Sequence, residues 1–284
     1  MSREMTGRVA MVTGANTGIG KEVAAALARQ GARVVMVCRS EERGQSALAE
    51  VSAAAASTGA GGSAEILAID LASLAAVRAG AAQFLARHQR LHALVNNAGV
   101  FSMTRQTSAD GYELTFAVNQ LAPFLLTRQL LPCLEASAPA RVVNVASRAH
   151  RAARMHWEDL QLERKYSGVA AYGQSKLANI LFTRELARRL EPARVLANSV
   201  HPGVVSTDLV RGTPLLVRWG FRIFGLTSAQ GAEGPVRLAS DPRLATVTGR
   251  YFDRTREATP SAAARDDEAA KRLWDLCERL TAAA

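Results

Sequence analysis

The chain has 284 residues, of which 48% are hydrophobic, and a formal net charge of +10. This length suits one sizeable α/β core. No apolar run reaches the roughly 18–20 residues that a membrane span needs, and the N-terminus lacks the apolar core of a signal peptide. We therefore expect a cytoplasmic protein. The arginines are scattered and only 5% of residues are aromatic, which argues against nucleic-acid binding.

Strand-like apolar runs alternate with helical patterns along the whole chain. The predicted strands are 8–12, 32–38, 64–69, 93–95, 141–146, 194–200 and 250–252. The predicted helices are 19–30, 41–56, 73–88, 112–135, 170–190, 228–240 and 266–284. Continuously apolar strands indicate a parallel sheet covered on both faces. The alternation predicts an α/β single-domain Rossmann fold over residues 1–284, with a doubly wound, mostly parallel, seven-stranded sheet flanked by helices.

A glycine-rich turn follows the first strand and opens the first helix. Glycines allow a phosphate to approach the backbone closely, and the helix N-terminus offers free N–H groups. The spacing Gly-x-x-x-Gly-x-Gly therefore predicts a dinucleotide site, although a purely structural turn would look similar. The predicted residues of this turn are Gly14, Asn16, Thr17, Gly18, Ile19 and Gly20.

Residues at the ends of the next strands predict which dinucleotide binds. Arg39 ends the second strand, where NAD-binding proteins place an acid. A guanidinium suits a 2′-phosphate, so NADP(H) is expected to be preferred over NAD(H); a solvated surface arginine is the alternative. Asp70, followed by Leu71, can accept from the adenine amino group or cap the next helix. The small residues after the fourth strand let the chain pass close to a ribose; they are Asn97, Ala98 and Gly99.

Tyr172 and Lys176 lie one helical turn apart, after a strand that ends near Ser147. A phenol is a weak acid unless its phenolate is stabilised, and a nearby ammonium lowers its pKa. Ser147 can hydrogen-bond a substrate oxygen. This set predicts proton transfer beside a hydride carrier. The five histidines have no metal-ligand spacing, so no metal site is expected. The three cysteines form no Cys-x-x-Cys pair and are expected to be buried thiols.

With these motifs, the chain resembles the classical short-chain dehydrogenases/reductases over nearly its whole length. The resemblance implies a catalytic tetrad of Asn119, Ser147, Tyr172 and Lys176. In that family the tyrosine is the acid/base, the serine orients the substrate, and the lysine binds the nicotinamide ribose and tunes the tyrosine. The asparagine supports a proton relay. Further cofactor contacts implied near the nicotinamide are Pro202, Gly203, Val205 and Thr207.

A narrower similarity, to the retinol dehydrogenase subgroup, rests on Tyr172–Leu186, on His201-Pro-Gly-Val-Val and on Asn119–Thr127. It implies an NADP(H)-dependent oxidoreductase acting on a lipophilic carbonyl or alcohol, with retinal as one candidate. The resemblance to the whole family also implies a homodimer or homotetramer built through the helices that hold Asn119 and Tyr172.

Residues 203–226 form a basic, aromatic, amphipathic segment that is expected to lie over the nicotinamide. Such a segment suits a lipophilic substrate lid, peripheral contact with an anionic membrane, or a lid packed on its own core. Two alternatives to an enzyme remain open at this stage. They are a non-catalytic NADP(H)-binding regulator and a membrane-surface interaction protein.

Overall fold

The computed structural model describes residues 4–190, 194–204 and 226–282. One sheet runs through it, in the order β3-β2-β1-β4-β5-β6-β7-β8. The strands are β1 (Val9–Thr13), β2 (Arg33–Cys38), β3 (Ser63–Ala68), β4 (Ala93–Asn96), β5 (Ala140–Val145), β6 (Val195–His201), β7 (Tyr251–Asp253) and β8 (Arg256–Glu257). The first seven pair in parallel, and only β8 is antiparallel, to β7.

The helices alternate with the strands. They are α1 (Gly18–Arg29), α2 (Glu41–Ala56), α3 (Leu74–Arg87), α4 (Leu114–Phe116), α5 (Ala122–Glu135), α6 (Gly168–Leu190), α7 (Ser228–Ser240) and α8 (Asp267–Ala282). A one-turn 3-10 helix (Arg148–Ala152) follows β5. None of the described helices is long and apolar enough to cross a membrane.

Two apolar cores lie on opposite faces of the sheet. Helices α1, α2 and α7 pack on one face, and α3, α5, α6 and α8 pack on the other. Both faces are covered, which explains why β1, β4 and β5 are buried without alternation. The predicted fold class is confirmed. The two-residue strand β8 adds an eighth strand to the seven expected. The sequence does not predict it, because its exposed residues Arg256 and Glu257 have no strand-like pattern.

The predicted helix 112–135 is interrupted. It consists of α4, a π-helical turn over Ala117–Leu121, and α5. Glu113 begins it, since its carboxylate accepts from the backbone N–H groups of Thr115 and Phe116. Pro123 has no N–H, so no α-type bond can reach the carbonyl oxygen of Asn119. That oxygen is thus free to bond elsewhere.

The C-terminal helix α8 is part of the core. Trp274 packs between Phe124 of α5 and Phe182 of α6, with ring centroids 5.0 and 6.0 Å away. The guanidinium groups of Arg128 and Arg189 lie over its ring. All three cysteines are buried and unpaired, as expected; one of them, Cys277 of α8, contacts the Gln120 side chain.

Candidate active site

The turn between β1 and α1 depends on its glycines. Gly14 and Gly18 have φ values of +66° and +56°, in the left-handed region that favours glycine. A Cβ atom on Gly20 would lie 2.2 Å from the carbonyl oxygen of Gly14 and 2.4 Å from the side-chain nitrogen of Asn97. The fold of the turn therefore requires these glycines by itself, and they do not distinguish a phosphate site from a structural turn.

The start of α1 provides a better test of dinucleotide binding. Ser40 caps α2 and Ser73 caps α3 by accepting a backbone N–H, whereas within the described residues no side chain caps the start of α1 at Gly18. Those N–H groups are available to a phosphate. Asn16, Thr17 and Ile19 lie on the same turn and are partly or fully exposed. The turn fits a dinucleotide pyrophosphate.

Thr13 joins the carboxyl ends of β1 and β4. Its hydroxyl oxygen accepts from the backbone N–H groups of Asn97 and Ala98, both at 3.0 Å, and its carbonyl accepts from the Asn97 side chain at 2.9 Å. The order of strands in the sheet reverses between these two strands, where open α/β sheets bind ligands. The cofactor motifs do not predict this role of Thr13, although it directly precedes the first glycine.

Arg39 directly follows β2 and is exposed, with no hydrogen bond or ion pair to any described residue. Asp70 is also exposed and accepts from the N–H of Ala72 at 3.0 Å. The alternative that Asp70 caps the next helix is wrong, because Ser73 is the cap of α3. Leu71 packs against the core and is partly buried. The guanidinium of Arg39 is therefore available to an anionic ligand.

Ser147 and Tyr172 meet at the carboxyl end of β5. The Ser147 hydroxyl is close enough to the phenol to lower the pKa of Tyr172. His150 fixes the Ser147 backbone: its Nδ1 lies 2.6 Å from the Ser147 carbonyl oxygen, and its Nε2 accepts the N–H of Ser261 at 3.2 Å. With Nε2 as acceptor, Nδ1 carries the proton and donates. His150, which is fully buried, is a positioning residue that no sequence motif predicts.

Burial moves two pKa values in this site in opposite directions. It raises the pKa of Tyr172 to about 12, against a lowering effect of the Ser147 hydrogen bond. It lowers the pKa of Lys176 to about 8. The Lys176 Nζ atom lies 5.7 Å from the centre of the Tyr172 ring. Desolvation is the larger effect on the Tyr172 pKa, and the expected lowering of that pKa by Lys176 stays a prediction.

The ammonium group of Lys176 is held in place on the inside of the protein. Its Nζ donates to the carbonyl oxygen of Val145 at 2.7 Å and to Oδ1 of Asn179 at 3.2 Å. The Asn179 Nδ2 donates to the carbonyl oxygen of Asn119 at 2.7 Å. This is the oxygen that Pro123 leaves without an α-helical partner. Asn179 thus links Lys176 to Asn119, and its position three residues after Lys176 on α6 is the only sequence signal for it.

The Asn119 side chain is equally restrained. Its Oδ1 accepts from the N–H of Val100 at 2.8 Å, and its Nδ2 donates to the Val100 carbonyl and to Ser175 Oγ, both at 3.0 Å. A Cβ atom built on Gly99 would lie 3.5 Å from Asn119 Oδ1 and 3.6 Å from Lys176 Nζ. The structure therefore brings all four residues of the predicted tetrad to the sheet edge that holds Gly99.

The nicotinamide end is described only in part. Pro202 is buried, and Gly203 has a φ of +97° with Leu226 close beside it. The N–H of Leu226 donates to the carbonyl of Val204 at 2.8 Å. Val205, Thr207 and most of the proposed lid over 203–226 lie outside the described residues. In the described part of the chain, no group of three or more His, Cys, Asp and Glu side chains could hold a metal ion.

The family model described as short chain dehydrogenase matches residues 8–214. The chain belongs to the short-chain dehydrogenase family. Human retinol dehydrogenase 11 is 44% identical over 282 residues, which are 98% of this chain and 87% of that protein. Mouse retinol dehydrogenase 14 is 42% identical over 286 residues, covering 96% and 86% of the two chains. This short-chain dehydrogenase is therefore of the retinol dehydrogenase-like subgroup and is an oxidoreductase.

A solved structure also resembles this short-chain dehydrogenase. The Pseudomonas aeruginosa RhlG/NADP active-site complex superposes with a TM-score of 0.72 and 26% sequence identity, covering 93% of this chain and 99% of that one. The family fold implies a nicotinamide cofactor, in agreement with the uncapped start of α1.

Proposed function

We propose that the protein is an NADP(H)-dependent oxidoreductase that interconverts a lipophilic aldehyde or ketone and its alcohol. The observation that best supports this is the position of Tyr172, whose ring centre lies 5.7 Å from Lys176 Nζ and whose phenol is within reach of the Ser147 hydroxyl, at the same sheet edge as the glycine turn. A proton donor and an oxygen-orienting hydroxyl then lie beside the cofactor cleft, which is the arrangement that carbonyl reduction needs.

In carbonyl reduction the residues divide the proton chemistry among them. When bound, the nicotinamide cofactor supplies the hydride that the carbonyl carbon accepts. Tyr172 Oη donates the proton to the carbonyl oxygen, and Ser147 Oγ hydrogen-bonds that oxygen and orients it. Because its pKa is raised, Tyr172 keeps its proton at neutral pH and is ready to donate it. Lys176 would hold the ribose hydroxyls.

The phenolate left after transfer must be reprotonated. Lys176 is hydrogen-bonded to Asn179, and Asn179 to the carbonyl of Asn119. We propose that this chain of polar groups orients the ammonium, which gives a proton to the Tyr172 phenolate and is then reprotonated by solvent water. The lowered pKa of Lys176, about 8, eases release of that proton near neutral pH.

The preference for NADP(H) over NAD(H) rests on Arg39. Its exposed guanidinium follows β2 and has no partner in the described part of the chain, so it is free to form charge-assisted hydrogen bonds with a 2′-phosphate. The similar RhlG structure is a complex with NADP, which supports the same preference. NAD(H) remains a weaker substrate in this proposal.

The lipophilic nature of the substrate is supported by the rim of the site. The exposed large apolar side chains among the described residues are Met103, Val169 and Val204, with 56%, 69% and 48% of their surface accessible. Val169 lies three residues before Tyr172, Met103 adjoins the start of α6, and Val204 follows Pro202-Gly203. Exposed apolar patches of this kind mark binding sites for apolar ligands. Retinal is one candidate, and steroid ketones and fatty aldehydes are others.

Purified protein should reduce one or more of retinal, a long-chain aldehyde and a steroid ketone with NADPH, and Tyr172→Phe should abolish this activity. Loss of general acid catalysis lowers kcat by roughly 10²–10⁴-fold. Tyr166→Phe is the matched control, because its hydroxyl bonds the Ser102 carbonyl instead. Product formation is measured for all three proteins, with circular dichroism as a check on folding.

Unchanged turnover in Tyr172→Phe would exclude the phenol as the acid. Tight NADPH binding by the wild type with no turnover on any of the three substrates would contradict the proposed substrate class and favour a cofactor-binding regulator.

A further inference from the structure

Arginines gather at the sheet edge opposite the active site. Among the described residues, six of the seven parallel strands have an arginine at or within three residues of their start: Arg8, Arg33, Arg90, Arg141, Arg194 and Arg250. Parallel strands begin at the same edge, and the register pairs Val9 with Arg33 and Ala93 with Arg141. The expectation of scattered arginines is therefore wrong for these six.

Four of these side chains form what we call the amino-edge arginines: Arg8, Arg33, Arg90 and Arg194. None of them has an ion pair to a described residue, and the last three are exposed. The other two arginines are occupied. Arg141 is buried and donates to the Leu238 carbonyl, and Arg250 pairs with Glu257 at 3.7 Å.

The charges at this edge act on one another. Arg8 and Arg90 both contribute to lowering the pKa of His92, after its burial, and Arg8 contributes in the same way to lowering that of Arg141. Nearby carboxylates have other partners: Asp241 is bound by Arg237 and Arg243, and Glu65 lies 3.1 Å from His88 Nε2 in a pocket that Arg33 also lines. Glu4 is the remaining acid close to Arg141. Among the described residues, the amino-edge arginines therefore leave positive charge at this edge without an ion-pair partner.

We infer that the amino-edge arginines dock this protein on an anionic phospholipid surface. They lie at the starts of β2, β1, β4 and β6, which spread over about 19 Å at ~4.8 Å per strand spacing. No Trp, Tyr or Phe adjoins any of the four in sequence, so the edge lacks the stacking side chains of single-stranded nucleic-acid binding surfaces. The protein has a net charge of +10, and its well-separated arginine charges at this edge suit mobile anionic headgroups.

This docking would leave the active site accessible. β1 has five residues and therefore separates the two sheet edges by about 16 Å. Ser147 and Tyr172 lie at the far, carboxyl edge, as do residues 204 and 226, which bracket the proposed lid. An apolar substrate could then enter from the side away from the docked edge. The inference is thus distinct from membrane contact through residues 203–226.

The experiment is flotation with two kinds of vesicle, phosphatidylcholine alone and phosphatidylcholine with phosphatidylserine. Three proteins are compared: the wild type, an edge variant in which all four amino-edge arginines become Gln, and a control variant. The control replaces four exposed arginines without ion pairs elsewhere, namely Arg164, Arg256, Arg265 and Arg279, with Gln. Both variants have a net charge of 10 − 4 = +6, so only the place of the charge differs.

We expect the wild type and the control variant to float with the phosphatidylserine vesicles only, and to be released by salt. The edge variant should bind of the order of a thousandfold more weakly, at about 1 kcal/mol per arginine, with unchanged reductase activity in solution and an unchanged circular dichroism spectrum. Equal flotation of the edge variant and wild type, equal loss in both variants, or no flotation of the wild type would overturn the inference. Tighter, edge-dependent binding to a DNA duplex that displaces the vesicles would also overturn it, in favour of nucleic acid.

Discussion

Tyr172 and Lys176 are four residues apart in the sequence. Their proton chemistry depends on how deeply they are buried, which the sequence does not reveal. The spacing places both on one face of α6. It does not say how much water surrounds them. In the folded protein desolvation opposes the charged form of each, which raises one pKa and lowers the other. Residue types and spacing therefore predict the pair, and the surroundings set its proton affinities.

Arg39 offers a test of cofactor choice at a single residue. We expect Arg39→Asp to reduce the ratio of NADPH to NADH efficiency by roughly 10–100-fold, because charge-assisted hydrogen bonds are worth about 1.5–3 kcal/mol. The measurement is kcat/KM with each cofactor. Arg279→Asp, an exposed arginine on α8, is the control and should leave the ratio unchanged. The assignment of Arg39 would be rejected by an equal ratio in both variants.

The burial of His201 predicts how the free energy of unfolding depends on pH. Burial lowers its pKa from 6.5 to about 4, with smaller effects of Asp253, Arg148, His150 and Arg151. The unfolded chain binds the proton more readily in this range, so the free energy of unfolding should fall as the pH falls from about 6.5 to about 4. The loss due to His201 is at most about 3 kcal/mol.

Urea unfolding at several pH values measures this loss. His201→Gln should show a shallower decline than the wild type, and part of the decline should remain because burial also lowers the pKa of His92 and His150. His156→Gln, at a partly buried histidine, should keep the wild-type decline. A wild-type slope in His201→Gln would contradict the prediction.

At the scale of elements, the turn between β1 and α1 and the segment after β4 require glycine for different reasons. Gly20→Ala would place a methyl group 2.2 Å from the Gly14 carbonyl oxygen, whereas Gly99→Ala meets only ordinary contacts at 3.5 Å or more. We expect Gly20→Ala to lower the free energy of unfolding by about 1–3 kcal/mol. Gly99→Ala should keep its stability without cofactor and bind NADPH more weakly, because the methyl group would crowd the ribose.

Thermal unfolding without cofactor and fluorescence titration with NADPH distinguish the two variants. If Gly99→Ala bound NADPH as tightly as the wild type, the close passage of this segment past the ribose would be ruled out.

The segment 112–135 contains an irregular turn that its helical sequence pattern does not reveal. Its apolar periodicity predicts one helix, and the structure has a π turn over Ala117–Leu121 that presents the Asn119 carbonyl to Asn179. π turns often occur at functional sites. Pro123 is a local signal for the irregularity, but it gives neither the type of turn nor the partner, since Asn179 is on another helix.

At the scale of the whole molecule, residues 121–134 form a largely apolar run that would suit a subunit interface, but it is already covered within one chain. The C-terminal helix α8 covers α5 and α6, with Trp274 only 2% exposed between them. The homodimer or homotetramer that the resemblance implies stays a prediction, but this run does not support it. An assembly through α5 and α6 would have to form around α8 or displace it.

We therefore expect Trp274→Ala to lower the free energy of unfolding by about 3–5 kcal/mol without changing the mass measured by light scattering. Trp157→Ala, at a partly buried tryptophan, should have a smaller effect. A reduced mass in folded Trp274→Ala would show instead that α8 supports an assembly. A single unfolding transition in the wild type would agree with one domain over 1–284, and two separate transitions would not.

The sequence alone determined the order of strands and helices along the chain and the parallel sheet. It also determined the choice of Ser147, Tyr172 and Lys176 as the proposed catalytic residues. These follow from local periodicity and from motifs of a few residues. The tertiary structure decided the roles of Thr13, His150 and Asn179, the direction of the pKa shifts, and the clustering of arginines at the amino edge. These features depend on contacts between residues distant in the chain and on burial, which arise only when the strands align and the helices cover them.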